Sequence, residues 1–278
     1  MVPGRVAVLL STYNRAATVS RAIESVLAQQ EVALEVVIID DHSSDNTTQI
    51  LARWQSDDRV RCFRNAHNLG LPSSLNYAAS LADSEFLARI DDDDYWTDKH
   101  KLKKQLDWMN QHAAGVILGT AYVDEQGRAT ENPLSDAQIR SQMLLRCPFC
   151  HSSVLMRRTA FDAVNGYDET LSYAEDWDLW LRLGTRGVMG NLADSTLVKE
   201  PGENNLSQRF FHRQLKMAQG FVARYGDEYP GAARAGVLHR FNLLFFRLVP
   251  VNGKLHRGMG KVFRRVFQLG SSERNGNF

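Results

Sequence analysis

The chain has 278 residues, 44% of them hydrophobic and 23% charged, with a formal net charge of +1. That suits one large domain, or one domain with an extension, built on a sizeable core. A near-neutral chain has no global pull toward nucleic acid, and three cysteines, an odd number, argue against a disulfide framework.

The opening "MVPGRVAVLLSTYN" has too short an apolar stretch for a signal peptide. No run reaches the roughly 18 apolar residues of a spanning helix. The most apolar segment, "FNLLFFRLVPV" (241–251), is broken by Arg247 and Pro250. A cytoplasmic protein is the expectation.

The first half alternates strand and helix patterns. Val6–Leu10 reads as a buried strand. A helix is predicted from about Ala17 to Gln30, with Val19, Ile23, Val26 and Leu27 on one face. Val36–Ile39 is a second continuous apolar strand, ending in Asp40-Asp41. Ser43, Ser44 and Asp45 offer caps for a helix through Ile50, Leu51 and Trp54. Val60–Arg64 is a third strand. Pro72 opens a helix through Leu75 and Leu81, a position where proline is tolerated. Phe86–Ile90 is a fourth strand, and a helix is predicted over about Asp98 to His112. Continuous apolar strands between amphipathic helices predict a mostly parallel sheet covered on both faces.

The second half is less regular. Val116–Thr120 and Ser152–Arg157 read as strands, with a short helix over 159–164 and a turn at Asn165-Gly166. "YAEDWDLWLRL" (173–183) begins a helix with acids. "KEPGENNLSQRF" (199–210) is a polar loop. From Arg234 to Arg265 basic residues alternate with aromatic and aliphatic ones, with no acid between. Cys147-Pro-Phe-Cys150 has a redox or zinc spacing, but no second pair exists to complete a structural zinc site. Small buried cysteines beside a strand fit better.

Asp91–Asp94 are four consecutive acids ending an apolar strand. Such a run is ordinarily a solvated loop. Four carboxylates this close repel, so some take up protons or need a cation. A hard divalent cation with oxygen ligands suits them, and Mg²⁺ typically brings phosphate. Ligands of parallel sheets sit beyond the carboxyl ends of the strands. Ser11–Asn14, Asp40–Ser43 and Asp91–Asp94 all fall at such ends, so they converge on one crevice.

In order along the chain stand "VLLSTYNR", "VVIIDDHSSDNT", "NLGLPSSLNYA", "LARIDDDDYW" and "AEDWDLWLRL". This series resembles the successive motifs of the family 2 inverting glycosyltransferases of GT-A fold, over roughly residues 5 to 210. The resemblance implies a Rossmann-like, mostly parallel α/β sheet flanked by helices. It implies a glycosyltransferase domain over 1–212, with a nucleotide-binding half of about 1–97 and an acceptor-binding half of about 98–212. Residues 213–278 would form a helical basic extension.

The roles it implies are specific. Thr12, Tyr13 and Asn14 resemble the turn around the nucleotide base. Asp40 or Asp41 accepts the uracil N3 proton. Asp91, with Asp92 beside it, faces the ribose or sugar, and Asp93 ligates Mn²⁺ or Mg²⁺ on the diphosphate. Asp94 supports them. Asp176 resembles the catalytic base, flanked by Glu175 and Trp177. Arg64, Asn68 and Asn76 fall on the donor side by motif order, with packing and capping as their ordinary alternatives. His151 falls on the acceptor or phosphate side, with a structural histidine as the alternative. Many relatives carry an Arg/His-containing loop after the base helix. Here Lys199, Asn205, Ser207 or Arg209 would have to substitute.

The implied donor is a nucleoside diphosphate sugar, UDP-linked in the first instance. The implied acceptor is a saccharide, free or lipid-linked, as in bacterial surface-polysaccharide assembly. A basic amphipathic tail also suits an anionic membrane surface. Nucleic acid is not expected as a partner. Two rival readings use the same acids. A nucleotidyltransferase usually needs a Gly-rich basic loop that "STYNR" does not supply. A Mg²⁺-binding receiver module leaves Asp91–Asp94 and Glu175-Asp176 without a task.

Overall fold

The computed structural model describes residues 1–124, 126–199 and 211–248. These fall into two compact units, residues 1–139 with 148–199, and residues 140–147 with 211–248.

The first unit begins with β1 (Val2–Thr12), α1 (Val19–Leu27), β2 (Leu34–Asp40), α2 (Thr47–Trp54), β3 (Val60–Arg64), α3 (Leu71–Leu81) and β4 (Ser84–Arg89). Val6–Leu10 and Val36–Ile39 are fully buried, as strands covered on both faces must be. Helix α1 buries Val19, Ala22, Ile23 and Val26, the i, i+3, i+4, i+7 stripe of a helix lying on a sheet. Gly70, at φ +87°, turns the chain into α3, and Pro72 sits in its first turn.

These strands lie side by side, all parallel, in the order β3-β2-β1-β4. The register sets Thr12 opposite Asp40, and Asp40 opposite Arg64. Leu9 stands opposite Arg89, so β4 runs out into Asp91–Asp94 at the same edge. The expected convergence of strand ends is present.

The sheet continues with β5 (Tyr95–Trp96), α4 (Lys101–Gln111), β6 (Gly115–Val123), α5 (Asp136–Gln142), β7 (Leu155–Arg157), α6 (Arg158–Ala163), α7 (Glu175–Gly184) and β8 (Val188–Val198). Strand β7 runs antiparallel to β4 and β6, β8 runs parallel to β6, and β5 closes the far edge antiparallel to β8.

One expectation is corrected here, and one strand is added. The strand predicted over 152–157 starts only at Leu155. His151–Ser153 form a 3-10 turn, because the Ser153 N–H returns to the Cys150 carbonyl at 2.9 Å. The long β8 was not predicted. Its sequence, VMGNLADSTLV, alternates poorly and holds together through its ladder with β6, which shifts register along its length.

The second unit carries α8 (Phe211–Tyr225) and α9 (Ala232–Leu248), which pack on each other. Leu215, Ala218, Phe221, Ala235, His239 and Asn242 are buried there. Another stripe of α9 faces outward, with Val237 69%, Phe241 54% and Leu244 57% exposed. No helix among the described residues is long and apolar enough to cross a membrane. Residues 200–210 of the expected polar loop, and the basic segment beyond Leu248, lie outside the described residues.

Candidate active site

The loops after β1 and β2 are lashed together. Asn14 adopts φ +54°, a left-handed conformation that asparagine tolerates better than most residues. In that pose its Oδ1 accepts the Ser44 N–H at 2.8 Å, and its own N–H donates to Ser43 Oγ at 2.9 Å. Tyr13 stands beside it, 48% exposed, while Thr12 is buried.

Asp40 and Asp41 are both buried. Asp40 accepts the Ser43 N–H at 2.8 Å, the Thr48 hydroxyl at 2.6 Å and Arg64 Nη1 at 3.2 Å. Asp41 accepts Asn65 Nδ2 at 2.8 Å, the Leu69 N–H at 2.8 Å and the Gly70 N–H at 2.9 Å. Arg64 and Asn68 therefore border this site, Asn68 through a bond to the Asp41 carbonyl at 3.1 Å. Asn76 is not brought to it. Its amide fastens α3 to the segment after α6, bonding the Tyr167 carbonyl, the Tyr167 N–H and Glu169.

Asp91–Asp94 differ sharply from one another. Arg89 Nη2 lies 2.6 Å from Asp91. Burial alone would raise the Asp91 pKa, but Arg89 and a hydrogen bond from Ser152 hold it below the usual carboxylate range. Asp92 is pushed up to about 6 by burial and the charge of Asp93. Asp93 is also raised, by burial and Asp91. Asp94 is pushed up to about 7 by burial and Asp91. Ser152 joins the run: its hydroxyl lies 3.0 Å from Asp91 and 2.5 Å from Asp94, and it accepts the Asp91 N–H at 2.9 Å.

Further along the chain, Ala174 enters α7 at φ +56°, turning Glu175 and Asp176 into the first turn. Glu175 is pushed up to about 8 by burial and Asp176. Asp176 is raised by burial, against the Trp177 N–H that donates to it at 2.7 Å. Asp91 raises both carboxyls further. Trp177 is 8% exposed and Trp180 fully buried. His151 shares a hydrogen bond of 2.8 Å with the Tyr167 hydroxyl and lies 3.9 Å from Asp91. Burial and Arg89 push its pKa down to about 3, so it is a neutral imidazole.

A divalent cation fits this donor set. Among the described residues no group of three ligating side chains surrounds one point. A cation shared with donor phosphates needs only one or two carboxylates, and Asp93 is a hard oxygen donor whose pKa is raised by burial and Asp91.

Arg89, Ser152 and Arg15 were missed in the sequence. A lone arginine inside "FLARI" was the one available signal for Arg89. Arg15 Nε lies 3.3 Å from Asp92 and its Nη2 3.6 Å from Asp93. Lys199, weighed above as a substitute, lowers the pKa of Asp91, Asp93, Asp94 and Asp176 by its charge.

Comparison with known proteins bears on this arrangement. The model of the family described as glycosyl transferase family 2 matches residues 7–164. A putative glycosyltransferase, EpsE, of Bacillus subtilis (strain 168) is 30% identical over 211 residues, covering 74% of this chain and 76% of its own. The UDP-Glc:alpha-D-GlcNAc-diphosphoundecaprenol beta-1,3-glucosyltransferase WfaP of Escherichia coli is 28% identical over 194 residues, covering 68% of this chain and 75% of its own. Among solved structures, S. aureus TarS 1-349 in complex with UDP-GlcNAc superposes with a TM-score of 0.67 at 20% identity, over 86% of this chain and 73% of that one. That likeness is one of fold.

Proposed function

Because the chain belongs to glycosyl transferase family 2, we propose that it is a metal-dependent inverting enzyme that moves a sugar from a UDP-sugar to a lipid-linked saccharide in polysaccharide biosynthesis. The observation that carries this reading is the gathering of acids at the ends of parallel strands, with Asp40 in register with Thr12 and Arg64 and with Asp91 running out of β4 against Arg89. Asp91 is held ionised beside Arg89, while Glu175 and Asp176, within its field, are raised. WfaP, by its name, uses UDP-Glc and a diphosphoundecaprenol-linked sugar, which supports the choice of donor and acceptor.

In this reading residues 1–97 hold the donor. The Tyr13-Asn14 turn borders the base, and one of Asp40 and Asp41 accepts its N–H. Each carboxylate has about four lone-pair directions and uses three here. Asp91 accepts ribose or sugar hydroxyls, with Asp92 beside it. Asp93 holds a divalent cation. When bound, that cation neutralises the departing diphosphate as a Lewis acid.

Residues 98–212 face the acceptor. Asp176 takes the proton of the acceptor hydroxyl as its oxygen attacks the anomeric carbon. The bond from that carbon to the diphosphate breaks on the opposite face, as in inverting glycosidases with water as acceptor. An α-linked donor therefore gives a β-glycoside. Glu175, protonated at neutral pH, leaves Asp176 as the ionisable partner. Neutral His151, hydrogen-bonded to the Tyr167 hydroxyl, lies 3.9 Å from Asp91.

The extension from 213 onward is proposed to meet an anionic membrane. Helix α9 carries Arg234, Arg240 and Arg247 and no acid in its sequence, and Val237, Phe241 and Leu244 on it are exposed. Each basic residue at an anionic surface contributes about 1 kcal/mol.

Nucleotide release from UDP-, GDP-, CDP- and dTDP-sugars, with and without Mn²⁺ or Mg²⁺, tests the proposal. Slow metal-dependent hydrolysis of a UDP-sugar is expected. Absence of both hydrolysis and calorimetric binding across the panel would refute the donor site.

A further inference from the structure

Resting on the reading of Asp93 as the metal carboxylate, we infer that Arg15 is an internal counter-cation that occupies Asp93 until the divalent metal arrives, and that the two compete for it. Arg15 Nη2 lies 3.6 Å from Asp93 Oδ2, and its Nε 3.3 Å from Asp92 Oδ1. One guanidinium thus spans two successive carboxylates, including the one assigned to the metal.

The root of the residue is fixed. Its backbone N–H donates to Thr47 Oγ1 at 2.9 Å, so only the side chain can move. That side chain is 32% exposed and has water to turn into. A guanidinium cannot shed its proton in a protein. Its charge leaves the carboxylates only if the side chain swings away.

Lys199 also acts on Asp93 by its charge. Arg21 packs over the Tyr95 ring at 4.3 Å and reaches the Asp93 carbonyl at 3.5 Å. Arg89 pairs with Asp91. A divalent ion on Asp93 and a guanidinium at 3.6 Å repel each other, so each weakens the other's hold by the same factor.

The test is Mn²⁺ binding without nucleotide, measured by calorimetry on the parent, Arg15→Gln, Arg15→Lys and Asp93→Asn proteins. Arg15→Gln is expected to bind Mn²⁺ about fivefold tighter than the parent, within the usual range of coupling between two ligands. Arg15→Lys keeps the charge and is expected to bind like the parent. It also serves where the glutamine variant does not fold. Equal or weaker Mn²⁺ binding by a folded Arg15→Gln would overturn the inference, as would an Arg15→Lys protein that binds clearly tighter than the parent. A fall in melting temperature with unchanged Mn²⁺ affinity would show Arg15 to be only a structural tie. Parent-like Mn²⁺ binding by Asp93→Asn would instead defeat the metal assignment itself.

Discussion

The Arg89 guanidinium, 1% exposed, lies 2.6 Å from the Asp91 carboxylate two residues further along the same extended chain. Residues two apart in such a chain share a face, so the cation sits beneath the anion. Asp91 is the one member of its run held below the ordinary carboxylate pKa. Replacing Arg89 by Met removes the guanidinium that pairs with Asp91 and leaves it the Ser152 hydroxyl. Breaking such a pair costs about 3–5 kcal/mol, and urea unfolding of Arg89→Met is expected to lose stability on that scale. Arg89→Lys should lose less. A methionine variant as stable as the parent would mean that Asp91 is solvated rather than paired.

Asp176→Asn separates binding from chemistry. Removing the group that takes the acceptor proton should lower kcat by about 10²–10⁴-fold, with UDP-sugar affinity unchanged by calorimetry. Retained transfer would assign the base elsewhere, Glu175 being the nearest candidate.

Glu175 carries a sign for stability against pH. Its folded pKa, raised to about 8 from 4.5, means that the folded state binds the proton more tightly than the unfolded chain. The resulting stability is fully present below pH 4.5 and is lost as pH rises toward 8. Glu175→Gln removes this loss. Its melting temperature should exceed the parent's at pH 8, and the difference should shrink toward pH 4.5. A gap that does not vary with pH would place Glu175 in contact with water.

The outward stripe of α9 makes a separate prediction. Vesicles containing phosphatidylglycerol should sediment the parent protein, and Val237→Ser/Phe241→Ser/Leu244→Ser should stay largely in the supernatant while donor hydrolysis continues. Equal sedimentation by the folded triple variant would refute the membrane face. Loss of hydrolysis as well would tie the stripe to folding instead.

Much of the fold was legible because its first half follows simple periods. VAVLL and VVII are fully buried strands with one continuous apolar signal, and α1 shows its stripe plainly. The acidic groups were legible because parallel strands end at one edge, so Asp40-Asp41 and Asp91–Asp94 meet by topology alone. Ser152 was not legible. It reaches Asp91 and Asp94 only because β7 runs back along β4 with Ala88 opposite Leu155, a register that no local pattern encodes. Asn76 looked like a donor-side residue by its place in a motif. Its amide turned out to tie α3 to Tyr167, a contact across 91 residues of chain. The strand β8 was hidden for the opposite reason, since its residues are mixed in polarity and its partner supplies the order.

The antiparallel seam between β4 and β7 acts as a ruler. It counts residues from Leu155 back to Ser152 and delivers that hydroxyl to the carboxylates beyond Arg89. Ser152 stands in the 3-10 turn of His151–Ser153, a fixed number of residues before the strand that begins at Leu155. One residue inserted or deleted between 152 and 155 would therefore carry Ser152 off Asp91 and Asp94, with every chemical group still present. In this chain the length of a short connection is chemical information, as binding as the identity of the acids it serves.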